Sequence, residues 1–596
     1  EGADGAERPL VDPNALSAEG TVALDWYFPS PDGRLLAYGL SSDGSEQSTL
    51  YVLDVETGER LPDTIDRTRY TSLAWLHDGS GFYYSRLPAP GSVPDGEDVY
   101  HRRVYRHRLG DDPDADVPVW SERRDMRESP SVDLSDDGRW LLLIVSLGWD
   151  QADVYLRDLH EPAGGWITVA EDVPALFSGE VYGDTLYLAT NLDAPRSRVL
   201  AVPLADPRRE RWREMVPEQP DAILEGARIA GGRLALSYMV NAQSRLELRA
   251  LDGGEREEIA LPGIGSVTGL GAERDGAELY IGYTSFTVPA AVYRRELAGG
   301  AQQEWAAVAG GIDPAAVDVR QVWYGSTDGA RVSMFVLAPQ GVALDGERPV
   351  LLTGYGGFNI SLTPAYSAAT VFWLEQGGVF AQPNLRGGGE YGEEWHRAGM
   401  LEQKQHTFDD FIAAAEWLIR AGYTRPERLA IRGGSNGGLL VGAAITQRPD
   451  LFRAAVCAVP LLDMLRFHRF LIARLWTTEY GSAEEPEQYP WLRAYSPYHH
   501  VKDGERYPAV LFTTAESDSR VDPLHARKMA ALLQRATGAP PDERPVLLRV
   551  ETQAGHGQGK PLAKTIEEQT DIWSFLCAQL GVAAQPATPA GRGGLG

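Results

Sequence analysis

The stretch that decides the fold is Gly433-Gly434-Ser435-Asn436-Gly437, which matches the pattern G-x-S-x-G. The pattern alone is weak, because a chain this rich in glycine is expected to contain it roughly 0.3 times by chance. Its context is more specific, since an apolar strand is predicted directly before it, at residues 429–431, and a helix is predicted after it. A strand, a sharp turn and a helix would expose the Ser435 hydroxyl as a nucleophile.

On both sides of this turn, the C-terminal half of the chain alternates short apolar runs with helical stretches. Such alternation is typical of a mostly parallel α/β sheet. We therefore predict one α/β domain over residues 310–580. Its predicted strands lie at 349–353, 378–382, 429–431, 454–458, 509–513 and 546–551, and its predicted helices at 408–421, 439–447, 523–536 and 562–580.

The first 300 residues have a different pattern, in which a tight polar turn is followed by an alternating apolar strand. Six turn glycines, Gly33, Gly79, Gly138, Gly183, Gly232 and Gly276, are separated by 46, 59, 45, 49 and 44 residues. Asp-Gly and Gly-Asp turns indicate β-hairpins, because these turns need a positive φ. A period of about 40–50 residues with several strands is typical of propeller blades. We predict an all-β propeller over residues 1–309, with a set of unrelated hairpins or a β-sandwich as the alternative.

A serine nucleophile needs a general base, and in folds of this kind the chain order is serine, carboxylate, histidine. His556 is the preferred base, because it lies in a glycine-flanked loop between the last predicted strand and the last predicted helix. Asp518 is the preferred acid, after the strand at 509–513, but spacing alone leaves Glu516 and Asp522 open. The other histidines that follow Ser435 are His468, His499, His500 and His525.

Acyl transfer also needs donors for the developing oxyanion. The backbone N–H of Asn436, directly after the nucleophile, is one candidate. The second is expected from the loop at residues 354–358, where glycines allow close approach and the Tyr355 phenol is a further possible donor.

Composition narrows the class of protein. The chain has 596 residues, 43% apolar and 23% charged, as in a globular protein. A formal net charge of −28 argues against a nucleic-acid partner, and no apolar run reaches the length of a membrane helix. Cys457 and Cys577 are expected to be buried free thiols. No metal or cofactor motif is present, so no cofactor is expected, and residues 581–596 are predicted to form a flexible tail.

Several long motifs resemble the prolyl oligopeptidase family of serine peptidases. They are YGGFNISLTP from Tyr355, RGGGEYGEEWH from Arg386, GGSNGGLLV from Gly433, LWTTEYG from Leu475, SDSRVDPLHA from Ser517 and AGHGQGKP from Ala554. The resemblance implies an α/β-hydrolase domain capped by a seven-bladed β-propeller. Six blade turns are visible here, and the first blade is expected to be incomplete.

The resemblance also implies roles for single residues. It makes Ser435, Asp518 and His556 the catalytic triad, and the Tyr355 hydroxyl and the Asn436 N–H the oxyanion hole. It assigns Trp476 to stack on the substrate proline and Arg520 to bond the substrate backbone. Further residues expected to line the proline pocket are Phe358, Val459, Leu461, Tyr480 and Val521.

The implied activity is hydrolysis after proline in short peptides through an acyl-enzyme, with the propeller restricting access. The alternatives are a related oligopeptidase or an esterase with another specificity, or an inactive hydrolase whose propeller is a binding module. Proline-containing peptides are the expected partners. We also expect a monomer, and a cytoplasmic location, with the periplasm or secretion left open.

Overall fold

The computed structural model describes residues 8–121, 125–161, 163–557 and 560–583. After a short helix, α1 (Pro13–Leu16), the N-terminal half consists of six four-stranded antiparallel sheets in chain order. The first three are β1 (Val22–Pro29), β2 (Leu35–Ser42), β3 (Thr49–Asp54) and β4 (Arg60–Ile65); β5 (Leu73–Trp75), β6 (Gly81–Arg86), β7 (Arg103–Arg108) and β8 (Val117–Trp120); and β9 (Ser129–Leu134), β10 (Trp140–Leu147), β11 (Gln151–Asp158) and β12 (Ile167–Ala170).

The next three sheets repeat this arrangement, so the propeller prediction is confirmed. They are β13 (Phe177–Tyr182), β14 (Thr185–Thr190), β15 (Arg198–Pro203) and β16 (Arg213–Val216); β17 (Ile223–Ala230), β18 (Arg233–Val240), β19 (Gln243–Ala250) and β20 (Arg256–Ile259); and β21 (Ser266–Ala272), β22 (Glu278–Thr284), β23 (Ala291–Glu296) and β24 (Gln302–Ala307).

Each of the six turn glycines joins the first two strands of one sheet. Gly33, Gly79, Gly138, Gly183 and Gly232 have φ between 59° and 69°, as a tight hairpin turn requires. Gly276 is the exception, because its φ is not positive; a Cβ there would lie 2.8 Å from Glu273 Cβ. The first sheet of the described chain, β1–β4, has all four strands. Six such sheets, not seven, lie within the described part of the chain.

Neighbouring blades are held together by apolar side chains between their faces. Leu50 and Ile65 of the first sheet pack with Phe82 of the second, for example, and all three are fully buried. Comparable clusters join the second sheet to the third, and so on to the sixth. Because burying one such side chain contributes about 1.5–3 kcal/mol, these layers stabilise the propeller as a unit.

The C-terminal half is one eight-stranded sheet with helices on both faces. Its strands are β25 (Val317–Gly325), β26 (Arg331–Pro339), β27 (Val350–Thr353), β28 (Val379–Pro383), β29 (Leu429–Gly434), β30 (Ala454–Ala458), β31 (Ala509–Ala515) and β32 (Val546–Glu551), in the order β25-β26-β28-β27-β29-β30-β31-β32. The last six strands in this order run parallel, as predicted, while β25 and β26 pair antiparallel at one edge and were not predicted.

Two apolar layers cover the sheet. The helices are α2 (Ala368–Glu375), α3 (Glu393–Arg397), α4 (Gln405–Arg420), α5 (Asn436–Gln447), α6 (Thr477–Tyr480), α7 (Tyr489–Tyr495), α8 (Pro497–His500), α9 (Leu524–Ala536) and α10 (Leu562–Leu580). Residues of α4, α5 and α9 form the core on one face, and α2 and α10 pack on the other. Among the described residues, no helix is both long and apolar enough to cross a membrane. Of the predicted tail, residues 584–596 lie outside the described part.

A buried histidine links the first two blades. His107 on β7 contacts Asp63 on β4 through Nε2 at 3.0 Å and Asp116 through Nδ1 at 3.0 Å, and its side chain is fully buried. Burial lowers the pKa of His107, but the two carboxylates outweigh it and raise the pKa to about 9. His107 therefore stays protonated between the two acids at neutral pH.

This raised pKa predicts a loss of propeller stability at alkaline pH. The unfolded chain releases the His107 proton near pH 6.5 and the folded chain near pH 9. The stabilisation is thus complete below about pH 6.5 and is lost as the pH rises to 9. We expect His107→Gln to lower the free energy of unfolding by about 2 kcal/mol at pH 6, and by less at pH 9. Urea unfolding at several pH values measures this.

The matched control is His160→Gln, which removes an exposed histidine of the same domain. Its stability should follow that of the wild type across the pH range. Parallel stability curves for the wild type and His107→Gln would contradict the assignment.

Candidate active site

Ser435 sits on a strained turn between β29 and α5. Its backbone has φ 59° and ψ −118°, a conformation that a residue with a Cβ rarely adopts. The flanking glycines are required by close packing, because a Cβ on Gly433 would overlap the Gly437 carbonyl oxygen. A Cβ on Gly437 would come within 2.7 Å of the Gly354 carbonyl oxygen. The predicted strand–turn–helix is thus present and projects Ser435 into a cavity.

The structure brings Asp518, and not its rivals, to His556. Asp518 follows β31, His556 follows β32, and His556 Nδ1 lies 2.7 Å from Asp518 Oδ2. The other Asp518 oxygen accepts from the backbone N–H groups of Arg520 and Val521, both at 2.9 Å. This buried, fully bonded carboxylate fixes the His556 ring with Nε2 as the basic nitrogen.

The alternative acids, Glu516 and Asp522, and the alternative base His525 lie away from Ser435. Glu516 is exposed, and Asp522 accepts from the Leu524 N–H at the start of α9. His525 is buried, with its Nδ1 accepting from the Asp463 N–H, and burial lowers its pKa to about 4. None of these three residues lines the Ser435 cavity.

The two donors expected for the oxyanion lie beside Ser435. Asn436 is the first residue of α5, where backbone N–H groups have no acceptor inside the helix. Burial raises the pKa of Tyr355 to about 12, while its bond to Ser435 acts in the opposite direction. The phenol therefore keeps its proton at neutral pH and can donate a hydrogen bond to an oxyanion.

The loop that carries Tyr355 is tied down by buried polar side chains. Asn436 Nδ2 donates to the Tyr355 carbonyl at 2.6 Å, and the Tyr480 hydroxyl donates to Asn436 Oδ1 at 2.7 Å. Lys404 Nζ donates to the Gly356 carbonyl at 2.7 Å and lies 3.3 Å from Glu479 Oε1. Asn436 and Lys404 thus bond backbone carbonyls of the loop directly. Tyr480 and Glu479 in turn hold the side chains of Asn436 and Lys404.

Lys404 belongs to a row of alternating buried charges. Glu479 also contacts His396 Nε2 at 2.9 Å, and His396 Nδ1 lies 3.4 Å from Glu393. Burial lowers the pKa of Lys404, whereas the two acids raise the pKa of His396 to about 9 against burial. Burial would raise the pKa of Glu479, but Lys404 and His396 lower it overall. The row is thus charged and balanced, which makes its members sensitive to removal of one partner.

A cavity of about 770 Å³ between the two domains contains the site. The hydrolase side contributes Ser435, His556, Tyr355, Phe358, Leu461, Trp476 and Arg520. Phe358 and Trp476 meet edge to face, with ring centroids 6.4 Å apart. They form an apolar, aromatic wall beside the nucleophile.

Three residues expected in the proline pocket do not line this cavity. Tyr480 is fully buried behind Phe358, with centroids 5.4 Å apart. The Val459 backbone N–H donates to Thr513, and Val521 donates to Asp518. These residues lie behind those that line the cavity, since Tyr480 packs on Phe358 and Val521 is bonded to Asp518.

The propeller supplies a side of the site that the sequence did not predict. Tyr70, Arg127, Ser129, Ser146, Trp149 and Leu176 line the same cavity. Glu46 bonds Arg520 Nε at 2.9 Å, and Arg69 donates to Ser519 at 3.1 Å. No local motif marks these residues, because they come from ordinary blade strands and loops. Within the described residues, no cluster of histidine, cysteine or acidic side chains fits a metal ion.

We predict that Lys404 acts on catalysis through Tyr355. Lys404→Met releases the Gly356 carbonyl and should lower kcat for a cleavable amide about 10–100-fold with a small change in KM. Tyr355→Phe should lower kcat by about 10²–10³-fold. In the Tyr355→Phe background, Lys404→Met should lower kcat much less, because the hydroxyl that Lys404 positions is already absent.

Steady-state kinetics of the four proteins measure this coupling, and circular dichroism checks that each is folded. Equal losses from Lys404→Met in both backgrounds would refute the positioning role.

Comparison with known proteins agrees with this geometry. Residues 1–308 match the prolyl oligopeptidase N-terminal β-propeller domain, and residues 364–583 match the prolyl oligopeptidase family. A prolyl endopeptidase of Elizabethkingia meningoseptica is 35% identical over 97% of this chain and 82% of its own. A solved prolyl endopeptidase structure is 42% identical, with a TM-score of 0.93 over 97% of this chain and 85% of that one. Prolyl oligopeptidase B of Galerina marginata, solved with a 25-residue macrocyclisation substrate, is 30% identical with a TM-score of 0.90, over 96% of this chain and 82% of that one. With its propeller, its hydrolase sheet and its Ser435 site, this chain belongs to the prolyl oligopeptidase family.

Proposed function

We propose that this protein is a serine endopeptidase that hydrolyses the bond on the carboxyl side of proline in short peptides. The observation that supports this most is the joint placement of Ser435, His556 and the aromatic wall of Phe358 and Trp476 in one cavity. A proline ring is flat and apolar and has no amide hydrogen, so an aromatic wall can select it by shape without polar partners.

The reaction follows from the contacts. Ser435 Oγ attacks the proline carbonyl carbon while His556 Nε2 takes the hydroxyl proton, and Asp518 stabilises the resulting imidazolium. Tyr355 and the Asn436 N–H hold the oxyanion. His556 then protonates the leaving amine, and the proline-ended peptide remains as an ester on Ser435. Water attacks this ester, with His556 as base again, and releases the carboxylic acid and the free serine.

Arg520 orients the substrate on the acyl side in this proposal. Its guanidinium lines the cavity, bonded to Glu46 and 5.5 Å from the Tyr70 ring centroid. An arginine held in this way presents donors to a peptide carbonyl. Because Glu46 and Tyr70 belong to the propeller, substrate binding depends on both domains.

The propeller also restricts access, because the cavity lies between domains that touch around it. Ser266 Oγ donates to the Pro364 carbonyl at 2.7 Å, and the Glu393 N–H donates to the Pro195 carbonyl at 3.2 Å. A folded protein could not reach Ser435 through such an interface. A flexible peptide could, as the 25-residue substrate of the Galerina marginata relative illustrates.

One substrate series tests the activity. A chromogenic peptide ending in Gly-Pro, the same peptide ending in Gly-Arg and a short-chain ester would be compared. We expect kcat/KM for the proline peptide to exceed that for the arginine peptide by at least about 10²-fold, because the wall carries no acid to pair with arginine. Trp476→Ala should lower kcat/KM for the proline peptide more than for the ester.

Ser435→Ala is the control and should be inactive on all three. Faster turnover of the arginine peptide or the ester would favour another oligopeptidase or an esterase. No turnover, together with no labelling of Ser435 by a phosphonate, would favour a binding protein. Cleavage of a folded protein as readily as of its proline-containing fragment would refute the access restriction.

We further propose that the enzyme works in the cytoplasm as a monomer. Both cysteines are free and buried, which suits a reducing compartment. Ser435, Asp518, His556 and Tyr355 all belong to one chain, as an active monomer would require. Cell fractionation and sedimentation velocity test these two points.

A further inference from the structure

A second, smaller recess opens from the propeller side of the active-site cavity. Its volume is about 110 Å³. It shares five lining residues with the larger cavity, namely Tyr70, Arg127, Ser129, Ile472 and Leu475. The two spaces are therefore neighbours, and a group bound in the recess would be near a bound substrate.

The recess contains a buried arginine, one of whose guanidinium nitrogens has no hydrogen-bond partner among the described residues. Arg102, which directly precedes β7, is only 8% exposed, and its Nη1 has no hydrogen-bond acceptor. Among the described residues, no carboxylate forms an ion pair with it. Burial and the neighbouring Arg69 lower the pKa of Arg102 to about 10, so it remains charged at neutral pH. A buried, unpaired guanidinium is unfavourable, and a bound anion would offset that cost.

The other charges in the recess walls have partners of their own. Arg69 pairs with Glu46 at 2.8 Å, and Arg127 pairs with Asp125 at 2.7 Å. Glu128, the acid in the wall, accepts from the Asp125 N–H at 3.2 Å. Within the described residues none of these acids forms an ion pair with Arg102, so its positive charge is open to a ligand.

The position of the recess indicates which part of a substrate reaches it. In the proposed binding mode proline lies against Trp476, and Ile472 and Leu475, which line both spaces, belong to the same segment of the hydrolase domain. Arg520, proposed above to orient the acyl side of the substrate, lies against Tyr70, which also lines the recess. In an extended peptide, side chains two residues apart point to the same side. The side chain two residues before proline thus faces the recess.

We propose that the recess around Arg102 is a carboxylate subsite, which selects peptides with an acidic side chain two residues before the proline. A carboxylate fits a space of this size and forms charge-assisted bonds with a guanidinium. The proposal rests on the post-proline activity proposed above and adds a preference within it.

Four chromogenic peptides of the form acetyl-X-Ala-Pro, with Glu, Gln, Leu or Lys at X, test the subsite. We expect kcat/KM for Glu to exceed that for Gln about tenfold, with Lys the poorest. In Arg102→Gln the Glu-to-Gln ratio should fall to about one, and in Arg102→Lys it should be partly retained. Arg108→Gln, which removes an exposed arginine of β7, is the matched control and should keep the wild-type ratio.

Binding to Ser435→Ala separates this proposal from the proposed activity. By calorimetry, the Glu peptide should bind about tenfold more tightly than the Gln peptide, and the addition of Arg102→Gln should remove the difference. Equal binding, or a Glu-to-Gln ratio that survives Arg102→Gln, would overturn the subsite while leaving post-proline cleavage intact. Failure to cleave any of the four peptides, with selective binding retained, would instead overturn the activity.

Discussion

The Ser435 turn is the constraint on which the rest of the structure depends. A positive φ at a non-glycine residue costs about 1–3 kcal/mol and persists only where its surroundings impose it. Here the surroundings are β29, α5 and the close contacts that exclude a Cβ at Gly433 and Gly437. The buried sheet thus holds a reactive hydroxyl in a conformation that an isolated peptide would not keep.

The loop at residues 354–358, which carries Tyr355, is held by hydrogen bonds from buried side chains. Its carbonyls accept from Asn436 and Lys404, and Lys404 lies in a buried row in which Glu479 pairs with both Lys404 and His396. Such a row contributes little net stability, because desolvation opposes the attraction of the charges. It does impose one geometry, since any shift leaves a buried charge unpaired. We therefore regard the row as the device that sets the position of the Tyr355 phenol.

The propeller completes the site. Glu46 and Tyr70 contact Arg520, and Arg69 reaches Ser519, which is 450 residues away in the chain. The proposed catalytic groups thus lie on one domain, while part of the cavity wall lies on the other. Under the proposals above, this division would let the blades alter substrate preference without disturbing the triad, as Arg102 on the second blade would do.

The sequence by itself determined what local patterns encode. Turn chemistry and period-two strands revealed the blades, and the strand–turn–helix around Ser435 revealed the hydrolase sheet and its nucleophile. His556 and the Tyr355 loop were predicted because they follow buried strands. Only the tertiary structure decided what depends on long-range contact. Spacing left Asp518, Glu516 and Asp522 open and the family resemblance pointed to Asp518; the fold brings that residue to His556, places Tyr480 behind the pocket wall and joins Lys404 to Glu479. The reason is physical: backbone conformation is set by neighbouring residues, whereas pairing between distant side chains depends on how whole layers pack.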